Sequence, residues 1–203
     1  MTSQRHPIGY PRIHFVRHGE TAWSLSGRHT GSSDIALTEN GQVQSRRLLP
    51  LLQSGSFAHV LTSPRRRARQ TCALAGLAHE SEIEPDLAEW DYGAYEGFST
   101  AEIREAAPDW NIFRDGCPGG ETAAQISARA DSLIARLRSL GENIALFSHG
   151  QFGCVLAARW IGLAVIEAQH FALDTASLSI LGSKPGHPDV PVITRWNMPP
   201  TLP

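Results

Sequence analysis

The chain has 203 residues, 41% of them hydrophobic and 19% charged, which suits one ordinary domain with a core and excludes a disordered polymer, a collagen-like fibre or a disulfide-stapled mini-protein. Eighteen basic against twenty acidic side chains give a formal charge of −2, without the basic excess expected of a protein working on nucleic acid or an acidic membrane. No run approaches the roughly 20 apolar residues of a membrane span, the first residues lack the apolar stretch of a signal sequence, and Cys72, Cys117 and Cys154 are too scattered for a zinc or redox motif, so a cytoplasmic protein is expected.

Ile13-His-Phe-Val16 is the first buried-strand pattern, and Val60-Leu61 with their flanks the second. Ser63-Pro64 then places a capping residue before a proline at the first helical position. The stretch 92–121 is irregular: a short helix begun by Ser99-Thr-Ala-Glu102 is followed by Pro108, Trp110, Gly116, Pro118 and Gly119-Gly120. An excursion of this length fits a lid or specificity insertion. Thr122-Ala-Ala-Gln125 is a capping box, and Ile126, Ala130, Leu133, Leu137 and Leu140 follow at helical spacing up to Gly141, a left-handed stop. Ile144-Ala-Leu-Phe147 is a further strand, with a helix expected near Gly150. Ser177–Leu181 and Val190–Trp196 read as two strands around a turn-rich loop at 182–189. The alternation predicts a single domain over 1–203, a three-layer α/β/α sandwich with a mixed, mostly parallel sheet.

Two histidines stand one residue past buried strands, in Arg17-His18-Gly19 and Ser148-His149-Gly150. Ligands of parallel α/β sheets collect at the carboxyl ends of strands, so the two can converge there, beside a helix N-terminus that attracts anions. Arg17 and the run Arg65, Arg66, Arg67 and Arg69 add guanidinium groups whose forks match phosphate oxygens. One histidine could serve as nucleophile at phosphorus, and a carboxyl group must protonate the departing oxygen; Glu20, Asp34, Glu89, Asp91 and Glu96 are all open candidates. His6, His14, His29, His59, His79, His170 and His187 are read as structural or surface residues. No HExxH or His/Cys cluster calls for a metal.

Phe15-Val-Arg-His-Gly-Glu-Thr21, Thr62-Ser-Pro-Arg-Arg-Arg-Ala-Arg-Gln-Thr71, Leu87-Ala-Glu-Trp-Asp-Tyr-Gly93 and Phe147-Ser-His-Gly150 together resemble the histidine phosphatase superfamily, branch 1, the phosphoglycerate-mutase-like group. The resemblance implies a two-step reaction through phosphohistidine. Carried over by motif, His18 is the nucleophile, Arg17, Arg67 and His149 hold the phosphoryl group, Glu89 is the proton donor and then the base, and the Gly150 backbone helps bind phosphate. No cofactor is implied. Mutases of the group resemble Arg-His-Gly-Glu-Ser-x-Trp-Asn and Glu-Arg-x-Tyr-Gly; here Ser24 replaces the asparagine, Trp90 the arginine, and no arginine-rich carboxylate grip is evident at 93–121. Hydrolysis is therefore expected, with a cofactor-dependent mutase as the alternative and a non-catalytic phospho-ligand binder third. The chain is most similar in motif to the sedoheptulose-bisphosphatase-type sugar phosphatases, which implies a small phosphorylated metabolite as partner and Ser24, Thr30, Gly31 and Tyr92 as pocket residues. Arg104 and Arg114 are candidates for a distal phosphate or carboxylate. A homo-oligomer is compatible with the resemblance.

Overall fold

A computed structural model describes residues 11–53 and 55–200; His6 lies outside them. Six strands form one sheet in the order β3-β2-β4-β1-β5-β6. They are β1 (Ile13–Arg17), β2 (His59–Thr62), β3 (Ser81–Ile83), β4 (Ile144–Ser148), β5 (Leu178–Lys184) and β6 (His187–Met198). The first four run parallel, and β5 and β6 add antiparallel strands at one edge. β4 is buried along its whole length, as a central parallel strand covered on both faces must be.

Eight α-helices accompany the sheet among the described residues: α1 (Ala22–Leu25), α2 (Glu39–Arg46), α3 (Leu49–Gln53), α4 (Arg66–Leu74), α5 (Thr100–Ala106), α6 (Ile112–Asp115), α7 (Ala123–Leu140) and α8 (Gly150–Trp160). Strand side chains alternate between two apolar clusters. Ile13, Phe15, Leu61, Ile144 and Leu146 face α7 and α8; Val16, Val60, Ala145 and Phe147 face Leu48, Leu52, Cys72 and Ala75 of the α2–α4 side. The period of two along each strand thus builds a core on each face, which is the expected three-layer arrangement. On α7 the buried residues are Ile126, Ala130, Leu133, Ile134 and Leu137, with the Thr122 capping box at its start and Gly141 at φ 69° past its end. Each large aliphatic buried there contributes about 1.5–3 kcal/mol before entropy.

Two local expectations are corrected, and one strand is new. α4 starts at Arg66, not at Pro64, and Ser63 makes no conventional cap; the Arg66 N–H is met instead by Asp34 Oδ1 at 2.6 Å. The loop expected at 182–189 is mostly strand, broken only by the Pro185-Gly186 turn, because the antiparallel pairing of β5 with β6 runs on to Lys184 and His187. β3 was not anticipated: it has three residues with no apolar alternation and is held by parallel pairing to β2.

Candidate active site

β1 and β4 are adjacent and parallel, with Arg17 opposite Ser148. That register brings the next residues of each strand, His18 and His149, side by side; their rings lie 5.3 Å apart at 64°. β2 flanks β4 on its other side, and the Ser63 N–H donates to Phe147 O, which sets Ser63 beside His149.

The tautomers follow from the partners. His18 Nδ1 lies 2.7 Å from Gly19 O; a carbonyl only accepts, so Nδ1 carries the proton and Nε2 keeps a free lone pair. His149 Nδ1 accepts from Arg67 Nε–H at 3.1 Å, so its proton is on Nε2, which donates to Ser63 Oγ at 2.7 Å. Both rings are held well below the ordinary histidine pKa, first by burial and then by Arg67 and other neighbouring cations. Both nitrogens of His149 are thus engaged within the protein.

Arg67 is fully buried. Besides His149 it donates from Nη1 to Ser33 O at 2.9 Å and from Nη2 to Thr30 O at 2.7 Å and Gly31 O at 3.3 Å. It therefore fastens the 30–33 loop and has one N–H left on Nη1. Burial lowers its pKa, and the Glu89 carboxylate opposes that. The phase of α4 separates it from its neighbours: Arg66 is exposed, and Arg65 lines a second cleft behind Glu89. Arg17 donates from Nη1 to Leu173 O, while its buried Nε has no partner among the described residues. A Cβ on Gly150 would stand 3.2 Å from both Cζ and Nε of Arg17, so glycine there makes room for the guanidinium.

Glu89 occupies the N-terminus of α8. Oε1 accepts from Trp90 N at 2.9 Å and Phe152 N at 2.7 Å, and Oε2 from Gln151 N at 3.0 Å. The acceptor at this helix end is thus supplied by the protein itself. Of the first-turn N–H groups expected to face a phosphate, those of Gln151 and Phe152 are already taken.

Of these groups, Arg17, His18, Glu89 and Gly150 line a pocket of about 320 Å³, together with Ser24, Thr30 and Tyr92; Arg67 and His149, both fully buried, are not on its wall. Ser24 Oγ also closes the capping box of α1, accepting from Thr21 N. Gly31 is not on this wall; its backbone N–H is held by the Glu96 carboxylate, and a Cβ would stand 2.4 Å from Trp90 O. Arg104 and Arg114 are also absent from the wall. Arg104 is spent on Trp110 O, and Arg114 on Asp115 and Asp109 O. Residues not singled out from the sequence take their place, among them Arg28, His29, Thr100 and Gln151. Arg28 pairs with Glu102 at 3.3 Å. His29 stacks on Tyr92 at 4.6 Å and bonds Thr100 Oγ1, and burial holds it down at about 4. No local pattern distinguishes this histidine from the surface ones. From the 92–121 stretch, Tyr92 and Thr100 reach the pocket, while Ile103, Trp110, Ile112 and Phe113 are buried in the larger core.

A pH dependence follows. His14, at about 4, joins His18, His29 and His149 in being lowered chiefly by burial. Below pH 6.5 the unfolded chain binds protons that the folded chain refuses, so these groups' stability is complete above pH 6.5 and declines toward pH 4. Urea midpoints measured from pH 7.5 to 4.5 should fall steadily. A midpoint that holds or rises across that window would show that the rings titrate normally in the fold.

Residues 13–198 match the family model of the histidine phosphatase superfamily (branch 1). An acid phosphatase of Mycobacterium tuberculosis is 45% identical over 179 residues, covering 86% of this chain and 88% of the relative. The sedoheptulose 1,7-bisphosphatase of Saccharomyces cerevisiae is 38% identical over 187 residues, 76% and 69% of the two chains. A solved structure of a Mycobacterium tuberculosis open reading frame superposes with a TM-score of 0.88 at 39% identity, over 94% of this chain and 99% of that one. No helix of the described residues is long and apolar enough to cross a membrane.

Proposed function

From the family to which this chain belongs, the histidine phosphatase superfamily (branch 1), we propose that its small-metabolite phosphatase activity runs through phosphorylation of His18 Nε2. The observation that carries this reading is the Nδ1–H bond of His18 to Gly19 O, which leaves Nε2 unprotonated beside Arg17, His149 and Arg67. In the first step the Nε2 lone pair attacks phosphorus and the bond to the leaving oxygen breaks. Glu89 supplies the proton that this oxygen takes. Oε2, with a single N–H partner, has room for that proton; Oε1 already has two partners. In the second step water attacks phosphorus, its proton passes to Glu89, and the N–P electron pair returns to Nε2. The sum is phosphomonoester plus water giving alcohol plus phosphate. Arg17, with its unspent Nε, and the remaining Arg67 N–H stabilise the oxygens of the transition state. The Gly150 backbone adds to the phosphate site, and His149 can contribute by turning its Nε2–H from Ser63.

The substrate is read as a sugar phosphate or bisphosphate. A pocket wall of hydroxyl, amide and aromatic groups around two arginines suits a hydroxylated, anionic molecule, and a sedoheptulose bisphosphatase is among the relatives. Phosphate release should be measured in EDTA from p-nitrophenyl phosphate, 3-phosphoglycerate, fructose 1,6-bisphosphate and sedoheptulose 1,7-bisphosphate, with an isomerase assay of 3-phosphoglycerate in parallel. Release in EDTA with preference for the sugar bisphosphates is expected. Isomerisation without net release would replace hydrolase by mutase.

Glu89→Gln tests the acid. In the first, alcohol-releasing step the loss on sugar phosphates should be on the order of 10²–10⁴-fold, and far smaller on p-nitrophenyl phosphate, whose oxygen departs without a proton; the second step, common to both substrates, is followed separately as phosphate release from the phosphoenzyme. Equal losses on both would remove Glu89 from this role.

A further inference from the structure

We infer that Arg129, on α7, is a positioning residue for Glu89, acting through a buried ion pair with Glu121; the inference rests on the reading of Glu89 as the acid. Arg129 has five N–H groups, and all find acceptors. Nε and Nη2 hold the two carboxylate oxygens of Glu121 at 2.9 and 2.8 Å. Nη1 reaches Asp86 O and Ala88 O, both at 2.8 Å, and Nη2 reaches Glu89 O at 3.4 Å. The side chains of the pair are only 17% and 15% exposed.

Glu121 carries the clamp to the far side of the same loop. Its carbonyl accepts from Trp90 Nε1 at 2.8 Å, its N–H donates to Asp91 O at 2.9 Å, and Oε2 accepts from Asp91 N at 3.4 Å. Residues 86, 88, 89 and 91 are thereby tied to the side chains of the pair, and residue 90 to the Glu121 backbone, in a segment whose sole regular structure is the short turn Pro85–Leu87.

The same guanidinium also meets the element that Glu89 caps. Its Cζ lies 4.5 Å from the centroid of the Phe152 ring, and the Phe152 N–H is the closest donor to the Glu89 carboxylate, at 2.7 Å. Arg129 thus fixes both ends of the Glu89 side chain, the backbone it grows from and the helix turn its oxygens rest on. Proton transfer demands hydrogen-bond reach at the reacting oxygen, and displacements of about 1 Å from a supporting residue can cost on the order of 10²-fold. A lysine keeps the charge but offers one nitrogen in place of a planar fork, so it cannot serve Glu121 and three carbonyls together.

The experiment compares Arg129→Lys and Glu121→Gln with the parent chain on a sugar phosphate and on p-nitrophenyl phosphate, alone and combined with Glu89→Gln, with thermal melts as a check of folding. Expected is a loss of about 10–100-fold in the rate of the first, alcohol-releasing step on the sugar phosphate, little change in that step on p-nitrophenyl phosphate or in either KM, and no further loss when the Glu89→Gln change is already present. Glu121→Gln, which keeps the side chain's shape, decides the matter if Arg129→Lys does not fold. Equal losses on both substrates, or a loss undiminished in the Glu89→Gln background, would reduce the pair to a fold support and overturn the inference while Glu89 stands. An absence of leaving-group selectivity in Glu89→Gln itself would overturn both readings.

Discussion

Replacing His18 by alanine is expected to abolish turnover, by a factor on the order of 10⁴–10⁶ as for other lost nucleophiles, while leaving the fold in place. The ring sits past the end of β1, 5% exposed, and is not part of either apolar cluster. Its hydrogen bond to Gly19 O is local, so its removal strands one carbonyl at the edge of a pocket that water can enter. Circular dichroism and melting should stay near those of the parent. The parent enzyme, quenched during turnover, should carry a base-stable, acid-labile phosphoramidate that the variant lacks. Phosphate release at parental rates by His18→Ala would end the phosphohistidine mechanism.

Arg67→Ala should fail in two ways at once. Activity should drop on the order of 10²–10³-fold through loss of a transition-state cation. Stability should fall too, since the change strands Thr30 O, Gly31 O, Ser33 O and His149 Nδ1 together. At about 1–3 kcal/mol for each buried group left without a partner, moderated by relaxation and water entry, several kcal/mol are at stake. Arg67→Lys should recover part of the charge effect and little of the loop anchoring, because an ammonium cannot span His149 and three carbonyls. The two contributions separate in a measurement of kcat well below the melting temperature alongside a urea titration. A variant with parental kcat and lowered stability would leave Arg67 as an anchor for the 30–33 loop and pass its electrostatic role to Arg17.

The site became legible from sequence where the chemistry is local. Arg17-His18-Gly19 and Ser148-His149-Gly150 each follow an unmistakable apolar run, and the residues just past strand ends in a parallel sheet face the ligand side. The α7 helix was equally plain, because a capping box, a 3.6-residue apolar period and a glycine stop agree over one segment. Edge features were less so. β3 has no core-facing alternation, and the β5–β6 hairpin extends through residues that look like loop, because pairing to a neighbouring strand outweighed their weak propensities.

The sequence by itself therefore determined the layered α/β class, the four blocks of reactive residues and the family they belong to, since each depends on residue type and short-range spacing. Sheet order and helix phase decided the rest. The placing of β4 between β1 and β2 put His149 against both His18 and Ser63, and α4 turned Arg67 inward while Arg65 and Arg66 faced elsewhere. Glu89, which the motif resemblance selects from five acidic candidates, caps α8 and lines the pocket, His29 and Arg28 entered that pocket, and Arg104 and Arg114 fell outside it. Those partners lie tens of residues apart in the chain, where no local period relates them; only the packing of elements against one another sets which charges and lone pairs meet.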